Sequence, residues 1–163
     1  MRRTFFAMFT LGALTALSGC GGSSSTTAST TASTTASTTA AATLSVRSAA
    51  PLGQRLVDGS GRTLYLFEAD TSNVSTCSGA CAQSWPPFVT TGAPQVGAGM
   101  NQALVGTTTR SDGAKQVTYN GHPLYYFAGD TQAGDTKGEN LHAFGADWYV
   151  VSPAGDKVEP PGG

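Results

Sequence analysis

The hydrophobic pattern along the chain changes character several times, and one short pattern occurs twice. Leu64-Tyr65-Leu66-Phe67-Glu68-Ala69-Asp70 is matched by Leu124-Tyr125-Tyr126-Phe127-Ala128-Gly129-Asp130, with Tyr65 and Tyr125 setting a period of 60 residues. A turn precedes each copy, Asp58-Gly59-Ser60-Gly61 in one and Asn120-Gly121 in the other. Thr71 or Thr131 follows the aspartate, and Trp85 or Trp148 closes the unit. Self-similarity of this kind means one supersecondary unit used twice, each half too small to bury its own apolar face. On the first repeat strand Leu64 and Leu66 point one way while Tyr65 and Phe67 point the other. Both faces are apolar, so the strand is expected to be covered on both sides.

The rest of the pattern is punctuated by turns. Leu44-Ser45-Val46-Arg47 is a short alternating run. Gln54-Arg55-Leu56-Val57 and Arg62-Thr63-Leu64-Tyr65-Leu66-Phe67 flank an Asp/Gly/Ser turn and predict a β-hairpin. Residues 77–85 can hold one or two helical turns, which Pro86-Pro87 must end. Residues 87–90 are expected to be extended and 92–100 a loop. In the second unit 104–110 and 115–119 read as strands around a turn at 111–114. Asn120-Gly121 is a strong hairpin signal because both residues tolerate the positive φ of a tight turn. Residues 123–127 return as the repeat strand, 129–145 form a long polar loop, and Trp148-Tyr149-Val150-Val151-Ser152 is a final strand. With 21 glycines and many short strands, the predicted fold is mainly β. It is a small antiparallel domain over residues 44–159, built from two related units, about 52–92 and 104–153, with pseudo-twofold character and a short helical turn near the cysteine pair.

The ends of the chain read differently. Arg2 and Arg3 precede a mostly apolar run of 13 residues, 5–17, short of the ~20 residues a membrane-spanning helix needs. Residues 1–19 therefore read as a secretory signal peptide. Leu17-Ser18-Gly19-Cys20 resembles the lipobox of bacterial lipoproteins, which implies cleavage before Cys20 and attachment of a palmitate-type lipid there. The expected location is extracytoplasmic, with the membrane reached through that anchor. Gly21 stands where an aspartate would, by resemblance to enteric lipoproteins, favour inner-membrane retention, so the outer membrane is expected if the source is Gram-negative. Residues 20–43 repeat Thr-Thr-Ala-Ser and read as a disordered tether. A plain spacer is the adopted reading, a glycan-bearing stalk the other. Residues 160–163 read as a disordered tail.

Charge and cysteine content narrow the function. Without Arg2 and Arg3, seven Lys/Arg face ten Asp/Glu, a net of −3. No basic cluster is present, so nucleic acid is not an expected partner. With Cys20 lipidated, Cys77 and Cys81 remain, and an even pair in a secreted domain reads first as a disulfide. It closes a small loop, placing its effect at the low end of the usual ~2–4 kcal/mol.

Tyr65/Phe67/Asp70 and Tyr125/Phe127/Asp130, with Cys77-x-x-x-Cys81-Ala82 leading to Trp85-Pro86-Pro87, resemble the bacterial secreted-repeat lipoprotein family. Its motif is Tyr-x-aromatic-x-x-Asp. Gly121-His122-Pro123-Leu124-Tyr125 and Gly134-Asp135-Thr136-x-Gly138 are similar to its second repeat. The resemblance spans residues 54–152 and implies no catalytic residue, because the family's function is unknown. The second unit lacks a counterpart of the cysteine pair.

Candidate chemistry is weighed residue by residue. Asp70 and Asp130 each end an aromatic strand before a Thr-containing turn, where a carboxylate can cap backbone N–H groups. The alternative is a symmetric ligand or catalytic pair. Tyr65, Phe67, Tyr125, Phe127, Trp85 and Trp148 read as core rather than a binding platform, with Tyr126 and Tyr149 partly at the surface. Cys77 and Cys81, with His122 and His142 as further candidate ligands, admit copper binding or thiol redox as the alternative to a disulfide. The loop carboxylates Asp130, Asp135 and Glu139, with Asn140, admit calcium, although the EF-hand order is absent. No Gly-x-Ser-x-Gly, Gly-x-x-x-x-Gly-Lys or His-Glu-x-x-His motif occurs. The expected function is a monomeric, lipid-anchored, non-catalytic binding or envelope-associated module without a cofactor; the alternative is a redox or copper-handling protein using Cys77 and Cys81.

Overall fold

The structure, a computed structural model, describes residues 41–159. The expected signal peptide, Cys20, most of the tether and the tail at 160–163 lie outside the described residues. The domain is mainly β. Its strands are β1 (Thr43–Ala49), β2 (Gly53–Asp58), β3 (Tyr65–Phe67), β4 (Gln95–Val96), β5 (Val105–Thr109), β6 (Lys115–Tyr119), β7 (His122–Pro123), β8 (Leu141–Ala143) and β9 (Ala146–Val150). One helical turn, α1 (Ala80–Ser84), carries Cys81. The strands form three small sheets, β2-β1-β4, β3-β9-β8 and β5-β6-β7. All pairings are antiparallel except the two-residue parallel contact of β1 with β4.

Four details differ from the sequence expectations. Order begins before residue 44: Ala42 is buried, its N–H donates to Thr90 Oγ1 at 3.0 Å, and its carbonyl accepts from Gln95 N–H at 2.7 Å. The expected hairpin of β2 with β3 is only a tight turn, with Asp58 N–H bonded to Arg62 O at 2.9 Å and Leu64 N–H to Leu56 O at 3.1 Å. β2 instead pairs with β1, and β3 pairs with β9. The loop at 92–100 contains β4, and the loop at 129–145 contains β8, which turns into β9 through Phe144-Gly145.

The two units interlock through matched backbone contacts. Tyr65 and Tyr125 form an antiparallel bridge, each N–H donating to the other's carbonyl at 2.9 and 3.0 Å. In the first unit Leu56 N–H reaches Val151 O at 2.8 Å; in the second Val117 N–H reaches Phe88 O, also at 2.8 Å. Glu68 N–H donates to Asp147 O, and Ala128 N–H donates to Ser84 O. Each repeat strand is therefore bonded to the tryptophan-bearing segment of the other unit.

Alternation on β3 divides the core. Leu64 and Leu66 join Leu44, Leu56, Val117, Leu124 and Val151 in one apolar cluster. Tyr65 and Phe67 join Trp85, Tyr125, Trp148 and both cysteines in the other. Every residue from Leu64 to Phe67 is buried, as two apolar faces require.

Candidate functional site

The repeat motif converges on the line where the units meet. Tyr65 Oη donates to Asp130 Oδ2 at 2.6 Å, and Tyr125 Oη donates to Asp70 Oδ2 at 2.5 Å. Each tyrosine is thus bonded to the aspartate of the other unit. The remaining carboxylate oxygens close loops: Asp70 Oδ1 accepts from Thr76 N–H at 2.7 Å and Thr76 Oγ1 at 2.6 Å, and Asp130 Oδ1 accepts from Lys137 N–H at 2.9 Å. These are loop clamps six and seven residues long rather than the Asx-turn or helix cap read from the sequence. Burial raises both phenol pKa values, and the facing carboxylate raises them further because a phenolate would meet a like charge.

Aromatic rings fill the space between the locks. Trp85 and Trp148 stack at 3.9 Å between centroids and 4° between planes. Phe67 stacks on Trp148 at 4.1 Å, and Phe127 lies against Trp85 at 4.5 Å. Tyr65 meets Trp85 edge-on at 5.4 Å, and Tyr125 meets Trp148 edge-on at 5.2 Å. Both tryptophans and both tyrosines are fully buried, Phe127 is half-buried, and Tyr126 and Tyr149 reach the surface in part.

Cys77 and Cys81 form a disulfide with a Cα separation of 5.3 Å, and both are buried. Its loop is held by Arg110, which the sequence reading overlooked. The buried guanidinium donates to Cys77 O at 2.8 Å, Ser75 Oγ at 2.6 Å and Gln116 Oε1 at 2.8 Å. Ser75 Oγ lies 2.7 Å from Tyr125 Oη, so Arg110, Ser75, Tyr125 and Asp70 form one continuous polar chain. No local signal marks Arg110, which follows β5 just before a turn, where an arginine is ordinarily solvent-exposed.

The other candidates do not assemble. His142 Nδ1 lies 2.6 Å from Asp147 Oδ1 on the exposed β8–β9 hairpin. His122 lies on β7 and lines two adjoining shallow depressions, of about 550 and 590 Å³, together with Glu68 and Asp70. Asp135 binds Thr131 N–H, Gln132 N–H and the Lys137 ammonium. Glu139 Oε2 accepts from Val150 N–H at 2.6 Å, while its Oε1 is buried without a partner. Burial raises the Glu139 pKa, with the Val150 bond opposing. Among the described residues no group of three or more His, Cys, Asp or Glu could hold a metal ion.

Fold and site together define a two-repeat β domain in which the repeat motif bonds one repeat to the other. The chain belongs to the family described as a secreted repeat of unknown function, whose model matches residues 47–89 and 106–152. Membership fits an extracytoplasmic protein, as does the disulfide. No curated protein and no solved structure matches the chain.

Proposed function

We propose that the protein is a lipid-anchored, non-catalytic module of the cell envelope. A lipid on Cys20 holds it to a membrane, the outer one in a two-membrane envelope, and residues 20–40 carry a monomeric β domain away from the surface. The observation that supports this most is the reciprocal pairing of Tyr65 with Asp130 and Tyr125 with Asp70. The residues most suggestive of a site satisfy each other inside the core, which favours a rigid presented scaffold over an open reaction centre. The buried disulfide is in keeping with a structural role for Cys77 and Cys81 rather than copper handling.

The experiment is detergent phase partition of the full chain expressed in a bacterium, with mass analysis of the mature N-terminal peptide. The reading expects the wild type in the detergent phase with acylated Cys20, and Cys20→Ala in the aqueous phase. A wild type in the aqueous phase with unmodified Cys20 overturns the anchor. Retention of the disulfide in mild reductant with no bound Cu(I) is the expected companion result; ready reduction with one copper retained would favour the redox alternative.

A further inference from the structure

The four redox-capable rings of the inner core form a contiguous array, Tyr65, Trp85, Trp148 and Tyr125. The central pair stacks at 3.9 Å, and each tyrosine touches its tryptophan edge-on, at 5.4 and 5.2 Å. Rings in such contact exchange an electron over the shortest distance that non-bonded groups allow. The four rings are at most 1% exposed, so water and solutes do not touch a radical formed on them, and an electron reaches or leaves it only through the surrounding protein.

The protons are placed as a one-electron step needs. A phenol that loses an electron becomes a strong acid, and its oxidation is favourable near neutral pH only if a base takes the proton at the same time. Here a carboxylate oxygen sits 2.6 Å from Tyr65 Oη and 2.5 Å from Tyr125 Oη, within the reach that proton transfer requires. Each carboxylate is fixed through its other oxygen by a backbone N–H, so the acceptor is held in place. Trp148 differs. Its Nε1–H donates to the Ala143 carbonyl at 3.1 Å, which is not a base. A hole on Trp148 therefore has no proton acceptor there and moves to the tyrosines, where the phenolic proton can leave.

We propose that Tyr65 and Tyr125, coupled through Trp85 and Trp148, form a reversible store for one oxidising equivalent. The partner is a one-electron oxidant at the protein surface, such as a high-potential metal complex or an oxygen-centred radical. In the forward step one electron passes from a tyrosine through the indoles to the oxidant. The phenolic proton moves to Asp70 Oδ2 or Asp130 Oδ2, leaving a neutral tyrosyl radical and a neutral carboxylic acid. In the return step an enediol reductant such as ascorbate supplies one electron, the proton returns to the phenol oxygen, and the carboxylate is restored. This activity does not depend on the lipid anchor.

The test is flash oxidation of the full chain with a photogenerated ruthenium(III) polypyridyl complex, read by transient absorption and by electron paramagnetic resonance of frozen samples. A neutral tyrosyl radical is expected, formed more slowly in D2O and erased by ascorbate with recovery of intact protein. Tyr65→Phe and Tyr125→Phe keep the stacked rings, so each is expected to fold and to lose part of the signal, while the double variant loses it. Asp70→Asn is expected to slow radical formation on Tyr125, whereas Tyr126→Phe and Tyr149→Phe leave the yield unchanged. Far-ultraviolet circular dichroism identifies any misfolded variant, and loss of the wild-type signal in Tyr126→Phe or Tyr149→Phe would place the radical at the surface. That outcome, or a wild type that gives no tyrosyl radical or only irreversible tryptophan oxidation, overturns the proposal.

Discussion

Glu139 shows what one side chain can cost this domain. Its folded pKa is raised from 4.5 by burial, so the folded state holds the proton more tightly than the unfolded chain. The stability this group contributes is fully present below pH 4.5 and is lost as pH rises through the folded value. Urea titrations across the acid-to-neutral range are expected to show that loss in the wild type, and a flatter profile in Glu139→Gln. A neighbouring position is limited by space instead. A Cβ at Gly138 would stand 2.8 Å from Trp85 Cη2 and 3.0 Å from Tyr65 Cε1. Gly138→Ala is therefore expected to cost about 1–3 kcal/mol in denaturant unfolding, as overpacking does. The sequence alone singled out Asp70 and Asp130 but not the phenols they bind. An aspartate before a turn suggests a local cap, whereas the phenol each one binds lies 55 or 65 positions away in the chain. Local chemistry carries no trace of that distance.

At the scale of elements, two turns of the same kind differ in legibility. Asn120-Gly121 joins β6 to β7 with φ of 50° and 80°, and the Asn-Gly pair announces it. Phe144-Gly145 joins β8 to β9 with φ of 57° and 93°. Phenylalanine is a poor occupant of that conformation, and for this reason β8 was hidden in an apparent loop. Phe144 is 51% exposed, so little packing is lost when it is replaced. Phe144→Asn is expected to raise stability by up to ~1 kcal/mol, measured as a higher urea midpoint with unchanged slope. The strand β4 was equally hidden, since its two residues pair with β1 through backbone alone and need no side-chain pattern. By contrast, the alternation on Leu64 to Phe67 and the Pro86-Pro87 stop after α1 depend on side chains, and both could be read directly.

At the scale of the molecule, neither unit completes its own core. Phe67 of the first unit stacks on Trp148 of the second, and Phe127 of the second lies on Trp85 of the first. Tryptophan fluorescence and far-ultraviolet circular dichroism are therefore expected to report one coincident unfolding transition, while fragments covering 41–92 or 104–159 alone are expected to be unfolded. The central claim is that the repeat motif locks one unit to the other. A double-mutant cycle between Tyr125→Phe and Asp70→Asn tests it most directly, with both single variants and the pair followed by urea unfolding. A coupling of about 1–3 kcal/mol is predicted, since either change alone already loses the charge-assisted phenol–carboxylate bond and the second change then costs less. Additivity within ~0.5 kcal/mol would mean that the two residues act independently, and would contradict a lock between the units.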